Sequence, residues 1–146
     1  MNGIVIGQER LSAAEYIDFL RRTDLGSQYP QERFNERFER LLVNTSISLT
    51  AGNTEGLLIG ICFCITDFAY WMFITDLGID REYVKQGIGT AMVQRAIELA
   101  GGTKDIIVYT CANENAVLFY EKLGMTPASS DVMQLNQADW TPFTVE

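Results

Sequence analysis

Histidine is missing from this chain of 146 residues. Its absence excludes Ser-His-Asp and Cys-His catalysis, and it also excludes the usual zinc sites that contain histidine. Any acid or base chemistry must therefore use carboxylates, tyrosines, cysteines, lysines or bound water.

Cysteine is scarce as well, with three residues, Cys62, Cys64 and Cys111, each in an apolar run. Cys62 and Cys64 are two apart in a predicted strand, so both side chains should point to one face. That is poor geometry for a disulfide, and three cysteines are too few for a metal site. We therefore expect buried free thiols and no bound metal.

Runs of lysine or arginine are absent, and the net charge is −8. Nucleic-acid binding needs clustered cations, so this balance argues against a nucleic-acid partner. An acidic field instead favours cationic small molecules such as amines. No apolar run reaches the length of a membrane span, and the N-terminus lacks the pattern of a secretion signal. We therefore expect a cytoplasmic protein without a membrane partner.

The composition, 47% hydrophobic and 21% charged, is typical of one globular domain, which we predict to span residues 1–146. Period-3.6 patterns predict helices over Ser12–Thr23, Gln31–Leu42, Gly87–Ala100 and Asn113–Leu123. Strands are predicted over Ile4–Gln8, Ser46–Ala51, Gly56–Thr66, Tyr70–Ile79 and Ile106–Thr110, with two more at Val132–Leu135 and Pro142–Val145. A right-handed crossover would make Tyr70–Ile79 and Ile106–Thr110 parallel, which gives an α/β mixed sheet with helices on both faces.

The most informative segment is residues 79–92, where an apolar strand leads through a polar turn into Gly87-Ile88-Gly89 and an amphipathic helix. Glycine lets backbone N–H groups approach an anion closely, because no Cβ stands in the way. The start of the helix adds unpaired N–H groups and a positive dipole end. The junction therefore suits phosphate, although two glycines alone are weak evidence.

Together with the order of elements, two motifs resemble those of the GNAT superfamily, the acetyl-CoA-dependent N-acetyltransferases. The family signature is Arg or Gln, two residues, Gly, one residue, then Gly or Ala, at a helix start. Here it reads Val84-Lys85-Gln86-Gly87-Ile88-Gly89, with valine at the position that is usually Arg or Gln. The second motif, Asn113-Glu114-Asn115-Ala116 followed by Phe119-Tyr120-Glu121-Lys122-Leu123-Gly124, is similar to the family's fourth helix.

The resemblance implies the GNAT fold, with parallel fourth and fifth strands that splay apart at their C-terminal ends, and acetyl-CoA as co-substrate. It implies that pantetheine pairs with Leu77, Gly78 and Ile79. It further places CoA against Val84, Lys85, Gln86, Gly87, Ile88, Gly89, Thr90, Asn113, Ala116 and Tyr120. Homodimers are common in the family. Asn113 would bond the CoA arm and Tyr120 would lie beside its sulfur, as an acid for the departing thiolate.

Each of these roles competes with a structural alternative. Asn113 is also a good helix N-cap, and Tyr120 could be a plain core aromatic. For the base we favour Asp76, the only carboxylate in the run Tyr70–Ile79, where burial would raise its pKa. The alternatives are that Asp76 caps the strand end or pairs with an arginine, or that Asp67 is the base.

The proposed activity is transfer of an acetyl group to a primary amine of a small molecule or peptide. The alternative is a catalytically idle acyl-CoA-binding or protein-interaction module on the same fold. In the resembling family the acceptor pocket is built by the first two helices and their loop, here about Thr23–Arg40, and by the C-terminal tail. Asp24, Tyr29, Glu32 and Glu36 could meet a cationic acceptor there, or they could form a solvated face.

Overall fold

The computed structural model describes residues 3–25, 29–128 and 132–135. Within them it contains five strands and four α-helices, with a short 3-10 helix over Arg81–Tyr83. The strands are β1 (Val5–Gln8), β2 (Ile47–Gly52), β3 (Leu58–Thr66), β4 (Trp71–Ile79) and β5 (Ile107–Thr110). The helices are α1 (Ala13–Leu20), α2 (Phe34–Asn44), α3 (Ile88–Ala100) and α4 (Glu114–Lys122).

The strands form one sheet in the order β1-β2-β3-β4-β5. The first three neighbouring pairs are antiparallel, and β4 and β5 are parallel. Because β4 and β5 are connected through α3, the crossover that the alternating pattern predicted is present. The predicted mixed sheet is confirmed.

The sheet has helices on both faces, and β3 shows how its side chains alternate between them. Cys62 and Cys64 pack into a core cluster with residues of α3 and α4, such as Met92 and Tyr120. Phe63 packs into a second cluster with Ile61 of the same strand and with residues in and next to α1 and α2: Leu11, Tyr16, Phe19, Leu20, Phe38 and Leu42. Since successive strand side chains point to opposite faces, the two clusters lie on opposite sides of the sheet.

Helix α1 starts with a capping box formed by Ser12 and Glu15. Ser12 Oγ accepts a hydrogen bond from the Glu15 N–H at 3.2 Å, and Glu15 Oε1 accepts one from the Ser12 N–H at 3.1 Å. Two N–H groups that would otherwise lack partners are thereby satisfied. The cap fixes the start of α1, whose buried face carries Tyr16, Phe19 and Leu20.

Three sequence predictions need correction. Helix α2 begins at Phe34 and not at Gln31, because Arg33 adopts a left-handed backbone (φ 51°) that breaks helical geometry before it. Residues 132–135 form no strand and are exposed, since an apolar segment becomes a strand only where another strand pairs with it. Cys111 is exposed, whereas Cys62 and Cys64 are buried free thiols as predicted. The predicted strand Pro142–Val145 lies outside the described residues.

Candidate active site

The candidate site lies where β4 and β5 separate. Their pairing runs from Trp71 with Ile107 to Ile74 with Thr110, and the Thr110 hydroxyl donates to the Ile74 carbonyl at 3.0 Å. Strand β4 continues to Ile79, but no described residue pairs with its β5 side beyond Ile74. The backbone of residues 75–79 therefore forms an open strand edge inside the protein, as the resemblance implied.

A β-bulge interrupts β4 at the start of this open edge. Phe63 of β3 is opposite Asp76, whereas Cys64 is opposite Ile74, so Thr75 is an extra residue in β4. A bulge leaves the extra residue out of the regular ladder and re-aims the side chains that follow. The backbone at Thr75 is therefore available to something other than β3.

The bulge also decides which face of the sheet Asp76 occupies. Met72 and Ile74 pack into the cluster of α3 and α4, and after the bulge Leu77 packs against the same cluster. Asp76 must then point to the opposite face, toward α1. Gly78 lies on the same face as Asp76, where an added Cβ would overlap the Leu25 side chain. A strictly alternating strand would have placed Asp76 with Met72 and Ile74.

On that face Asp76 is buried, with 4% of its surface exposed, and holds two hydroxyl partners. The Tyr29 hydroxyl donates to Oδ1, and the Thr75 hydroxyl donates to Oδ2 at 2.8 Å. The hydroxyl oxygens of Tyr16 and Tyr29 are 2.6 Å apart. A phenol has one proton to donate, and Tyr29 gives its proton to Asp76, so Tyr16 must donate to Tyr29.

Burial is the main reason that the pKa of Tyr16 and the pKa of Tyr29 are both well above the ordinary tyrosine value. The negative charge of Asp76 raises both further. Both phenols therefore remain protonated at neutral pH and serve as donors. A chain of hydrogen bonds thus runs from Tyr16 of α1 through Tyr29 to Asp76.

Asp67, the second candidate for the base, has a different environment. Its Oδ1 accepts hydrogen bonds from the backbone N–H groups of Ala69, Tyr70 and Trp71 at 2.8–3.0 Å. These bonds, first among them that from Trp71, lower the pKa of this exposed carboxyl. Asp67 therefore caps the turn before β4, and a carboxylate with a lowered pKa is a poor base.

Tyr120 of α4 lies on the other side of the split between β4 and β5, with 8% of its surface exposed. Burial raises its pKa to about 12, and the charge of Asp76 contributes, while a hydrogen bond with the Thr110 side chain acts in the opposite direction. Tyr120 also lines a cavity of about 340 Å³ between β5, α4 and residues 125–128. It is therefore both a core aromatic and a protonated phenol beside a cavity.

The glycine-rich segment leads directly into α3. Lys85 has a left-handed backbone (φ 63°), and so does Gly87 (φ 83°), the N-cap of α3. Gly87 has no side chain to cap the helix, so the first N–H groups of α3 are left for another acceptor. A Cβ on Gly87 would have no atom within 4 Å, whereas a Cβ on Gly89 would lie 3.3 Å from the Phe119 ring. Of these two glycines, Gly87 borders open space and Gly89 does not.

The two remaining predicted contacts are at the start of α4 and in the turn before α3. Asn113 is the N-cap of α4, and its Oδ1 accepts from the Ala116 N–H at 3.0 Å. The structural alternative for Asn113 is thus confirmed, and its contact with CoA stays a prediction. Val84, at the first position of the signature, is 48% exposed.

Sequence reasoning missed two members of the Asp76 network, Tyr16 and Thr75. Tyr29 was considered only as a lining residue of the acceptor pocket. No local pattern signals this network, because Tyr29 and Asp76 are 47 positions apart. Among the described residues no group of three or more acidic or cysteine side chains is placed to hold a metal ion.

Comparison with known proteins identifies the class to which this fold and site belong. The model of the acetyltransferase (GNAT) family matches residues 14–125. The match includes β4, the glycine-rich segment and the whole of α4. The chain therefore belongs to the GNAT acetyltransferase family. No curated protein matches the chain.

Solved structures of acetyltransferases share the fold at low sequence identity. The GNAT family acetyltransferase SP0256 of Streptococcus pneumoniae is 18% identical, with a TM-score of 0.71 over 92% of this chain and 99% of that one. A ribosomal-protein-alanine N-acetyltransferase of Brucella melitensis is 16% identical, with a TM-score of 0.64 over 90% and 99%. The aminoglycoside acetyltransferase meta-AAC0020 from an uncultured soil sample, solved with sisomicin, is 17% identical, with a TM-score of 0.63 over 94% and 97%.

Proposed function

We propose that the chain transfers the acetyl group of acetyl-CoA to a primary amine. The observation that carries this proposal is the open edge of β4, which has the buried Asp76 carboxylate on one face and the protonated Tyr120 phenol on the other. Family membership supports acetyl transfer. Two structures with the same fold are named for the acetylation of amine-bearing substrates, a ribosomal-protein alanine and an aminoglycoside.

The residues present fit acetyl-CoA. The uncapped N-terminus of α3 and the open space at Gly87 suit a pyrophosphate, which the backbone N–H groups of residues 85–90 would bind. The open backbone edge at Leu77–Ile79 would pair with pantetheine in the manner of strand addition. Asn113 and Ala116, at the start of α4, would border the arm of CoA.

The chemistry divides between the two faces of β4. Asp76 takes a proton from the ammonium form of the acceptor, directly or through a water molecule. The free amine nitrogen then forms a bond to the thioester carbonyl carbon, while a backbone N–H near the bulge stabilises the oxygen. As the carbon–sulfur bond breaks, Tyr120 gives its proton to the sulfur, and the nitrogen of the new amide loses its second proton to water. Exchange with solvent returns the proton lost by Tyr120 and removes the one gained by Asp76.

The pyrophosphate site is tested by Gly87→Ala, which should weaken acetyl-CoA binding about tenfold or more. The added Cβ would enter the open space beside the start of α3 and keep the anion away from the N–H groups. Isothermal titration calorimetry with acetyl-CoA measures the loss. Gly89→Ala is a poorer test, because its Cβ would contact the Phe119 ring and disturb the core.

Gly102→Ala is the matched control for Gly87→Ala. Gly102 is also left-handed (φ 90°) with no atom within 4 Å of a Cβ, but it lies beyond the far end of α3. Both substitutions should destabilise the fold by about 1 kcal/mol through backbone strain. Equal acetyl-CoA affinity in the two variants would contradict the pyrophosphate site.

Tyr29→Phe tests whether the hydrogen bond donated by Tyr29 favours the charged form of Asp76. A hydrogen bond donated to a carboxylate favours its charged form, so removing it makes protonation easier. The acid limb of the kcat/KM profile should therefore move to higher pH, while the ring still packs on Phe38 at 5.0 Å. Tyr83→Phe, which removes a hydroxyl bonded to Asn53, should leave the limb in place. A profile of Tyr29→Phe that coincides with that of the parent would exclude this positioning role.

The alternative function is an idle acyl-CoA-binding module, and the exposed Val84 in place of the usual Arg or Gln favours it. Thiol release from acetyl-CoA in the presence of a panel of amines separates the two. An enzyme releases CoA in step with amine consumption. An idle module binds acetyl-CoA without releasing CoA.

The cytoplasmic location, the homodimer and the absence of nucleic-acid and membrane partners stay predictions. Among the described residues, no helix has both the length and the apolar character needed to cross a bilayer.

A further inference from the structure

A groove of about 370 Å³ lies beside α2. In an acidic chain we would expect acidic side chains to line the acceptor pocket, but the charge of this groove is different. Its described lining is Tyr29, Pro30, Arg33, Phe34, Arg37, Phe38, Arg40, Leu41 and Asn44. Three arginines and no carboxylate are among these residues, although the chain as a whole carries a net charge of −8. The groove therefore concentrates positive charge in a molecule that has little of it.

Two of the three arginines are on α2, and the third directly precedes it. Arg37 and Arg40 are three residues apart and share one side of the helix, whereas Arg33 is the N-cap residue with a left-handed backbone. Phe38 packs against Tyr29 beside them and gives the groove an apolar wall. An apolar wall lowers the local dielectric and strengthens a charge interaction next to it.

Helix α2 also carries glutamates that can pair with these arginines, and the ion pair between Arg40 and Glu36 is weak. Arg40 lies 3.8 Å from Glu36, and their side chains are 73% and 54% exposed. Exposed pairs of this kind contribute little to stability, so an anion in the groove could compete for Arg40. Arg33 is exposed and Arg37 is half-buried at the groove.

One side chain connects this groove to the proposed base. Tyr29 lines the groove, and its hydroxyl donates to Asp76. The Tyr29 side chain therefore lies between a ligand in the groove and the Asp76 carboxylate that would deprotonate the amine. This proximity makes the groove a site for the remote part of an acceptor.

We propose that the groove binds a carboxylate or phosphate carried by the acceptor, so that the acceptor is an amine with a negatively charged group. The proposal rests on the proposed acetyltransferase function. Guanidinium groups bind both kinds of anion through paired N–H donors, which an uncharged alkyl chain cannot use. Three arginines would also repel an acceptor that carries only positive charges.

Matched acceptor pairs test this proposal directly. β-Alanine is compared with propylamine, γ-aminobutyrate with butylamine, and phosphoethanolamine with ethanolamine. For at least one pair we expect kcat/KM to be about tenfold or more higher for the anionic member. The pair with the largest ratio reports the spacing between the arginines and the reacting nitrogen. Ratios of one or less for all three pairs would overturn the proposal.

The double variant Arg33→Gln/Arg37→Gln should bring that ratio close to one. Because the ratio compares two acceptors on the same enzyme, partial loss of folded protein cancels. Arg95→Gln, an exposed arginine of α3, is the matched control and should keep the parent ratio. A double variant that retains the full ratio would refute the groove as the source of the preference.

A binding measurement separates failure of this proposal from failure of the proposed function. Arginine side-chain NMR signals are recorded during titration with phosphoethanolamine and, separately, with ethanolamine. We expect the signals of Arg33, Arg37 and Arg40 to shift with phosphoethanolamine only. If they shift while no amine is acetylated, the anion site stands and the acetyltransferase function fails. If they do not shift, the anion site is wrong whatever the turnover.

Discussion

Tyr120→Phe is expected to lower turnover about a hundredfold or more while acetyl-CoA affinity changes little. The substitution removes the phenol hydroxyl that we propose as the acid for the departing thiolate, on the α4 side of the β4–β5 split. The ring itself remains, including its edge-to-face contact with Phe119 at 5.1 Å. Steady-state kinetics with a saturating amine, together with calorimetry for acetyl-CoA, measure the two quantities separately.

Tyr70→Phe is the control, because Tyr70 is 68% exposed and precedes β4. It should leave turnover at the parent value. Loss of the Tyr120 hydroxyl also removes its interaction with the Thr110 side chain, which should lower stability. A Tyr120→Phe enzyme that is less stable but turns over at the parent rate would show a purely structural tyrosine.

The raised pKa of Tyr120 adds a test at alkaline pH. Its value of about 12 exceeds the ordinary value of 10.0, so the folded state holds this proton more tightly than the unfolded chain does. The resulting stability is fully present below about pH 10 and is lost as the pH rises toward 12. Tyr120→Phe should therefore lose less stability than the parent across that range, as measured by urea unfolding.

Local patterns predicted most of the fold because they depend on near neighbours. The capping box at Ser12 and Glu15 and the glycine-rich entry to α3 are each complete within a few residues, and the structure has both. The predicted start of α2 at Gln31 was wrong, because Arg33 has a left-handed backbone that residues other than glycine rarely adopt. No periodicity in the sequence reports such a conformation.

The bulge in β4 marks the limit of prediction for the site. Thr75 is an ordinary strand residue, and only its pairing with β3 shows that it is extra. The bulge turns Asp76 toward Tyr29 and Tyr16, which lie 47 and 60 positions earlier in the chain. Sequence analysis could therefore select Asp76 as the carboxylate of the strand, but it could not find the hydroxyls that surround it.

Net charge describes the whole chain and not the lining of one groove. An excess of acidic residues favours a cationic ligand, whereas the described lining of the groove beside α2 has three arginines and no carboxylate. Arg33, Arg37 and Arg40 are interleaved with glutamates in the sequence, so their charges cancel in any running average. The structure brings all three to one groove.

Asp76→Asn should produce the largest change, a loss of the acid limb of the rate–pH profile. With an alkylamine of high pKa the variant should be slow at neutral pH, and its rate should rise with the fraction of free amine. The surrounding hydroxyls can adapt to an amide: Tyr29 can donate to Tyr16 instead, and Thr75 already contacts the Phe63 carbonyl at 3.2 Å. The variant should therefore fold, and circular dichroism with thermal unfolding checks this.

Asp80→Asn is the matched control for Asp76→Asn, since Asp80 is equally buried, with 4% exposed, and lies just beyond the end of β4. Its carboxylate pairs with Arg22 at 2.5 Å, so the control should lose stability and keep the acid limb. An acceptor amine of low pKa should restore the rate of Asp76→Asn, because it arrives without the extra proton. A full rate for Asp76→Asn with a high-pKa alkylamine would exclude Asp76 as the base and leave a chain of water molecules to carry the proton.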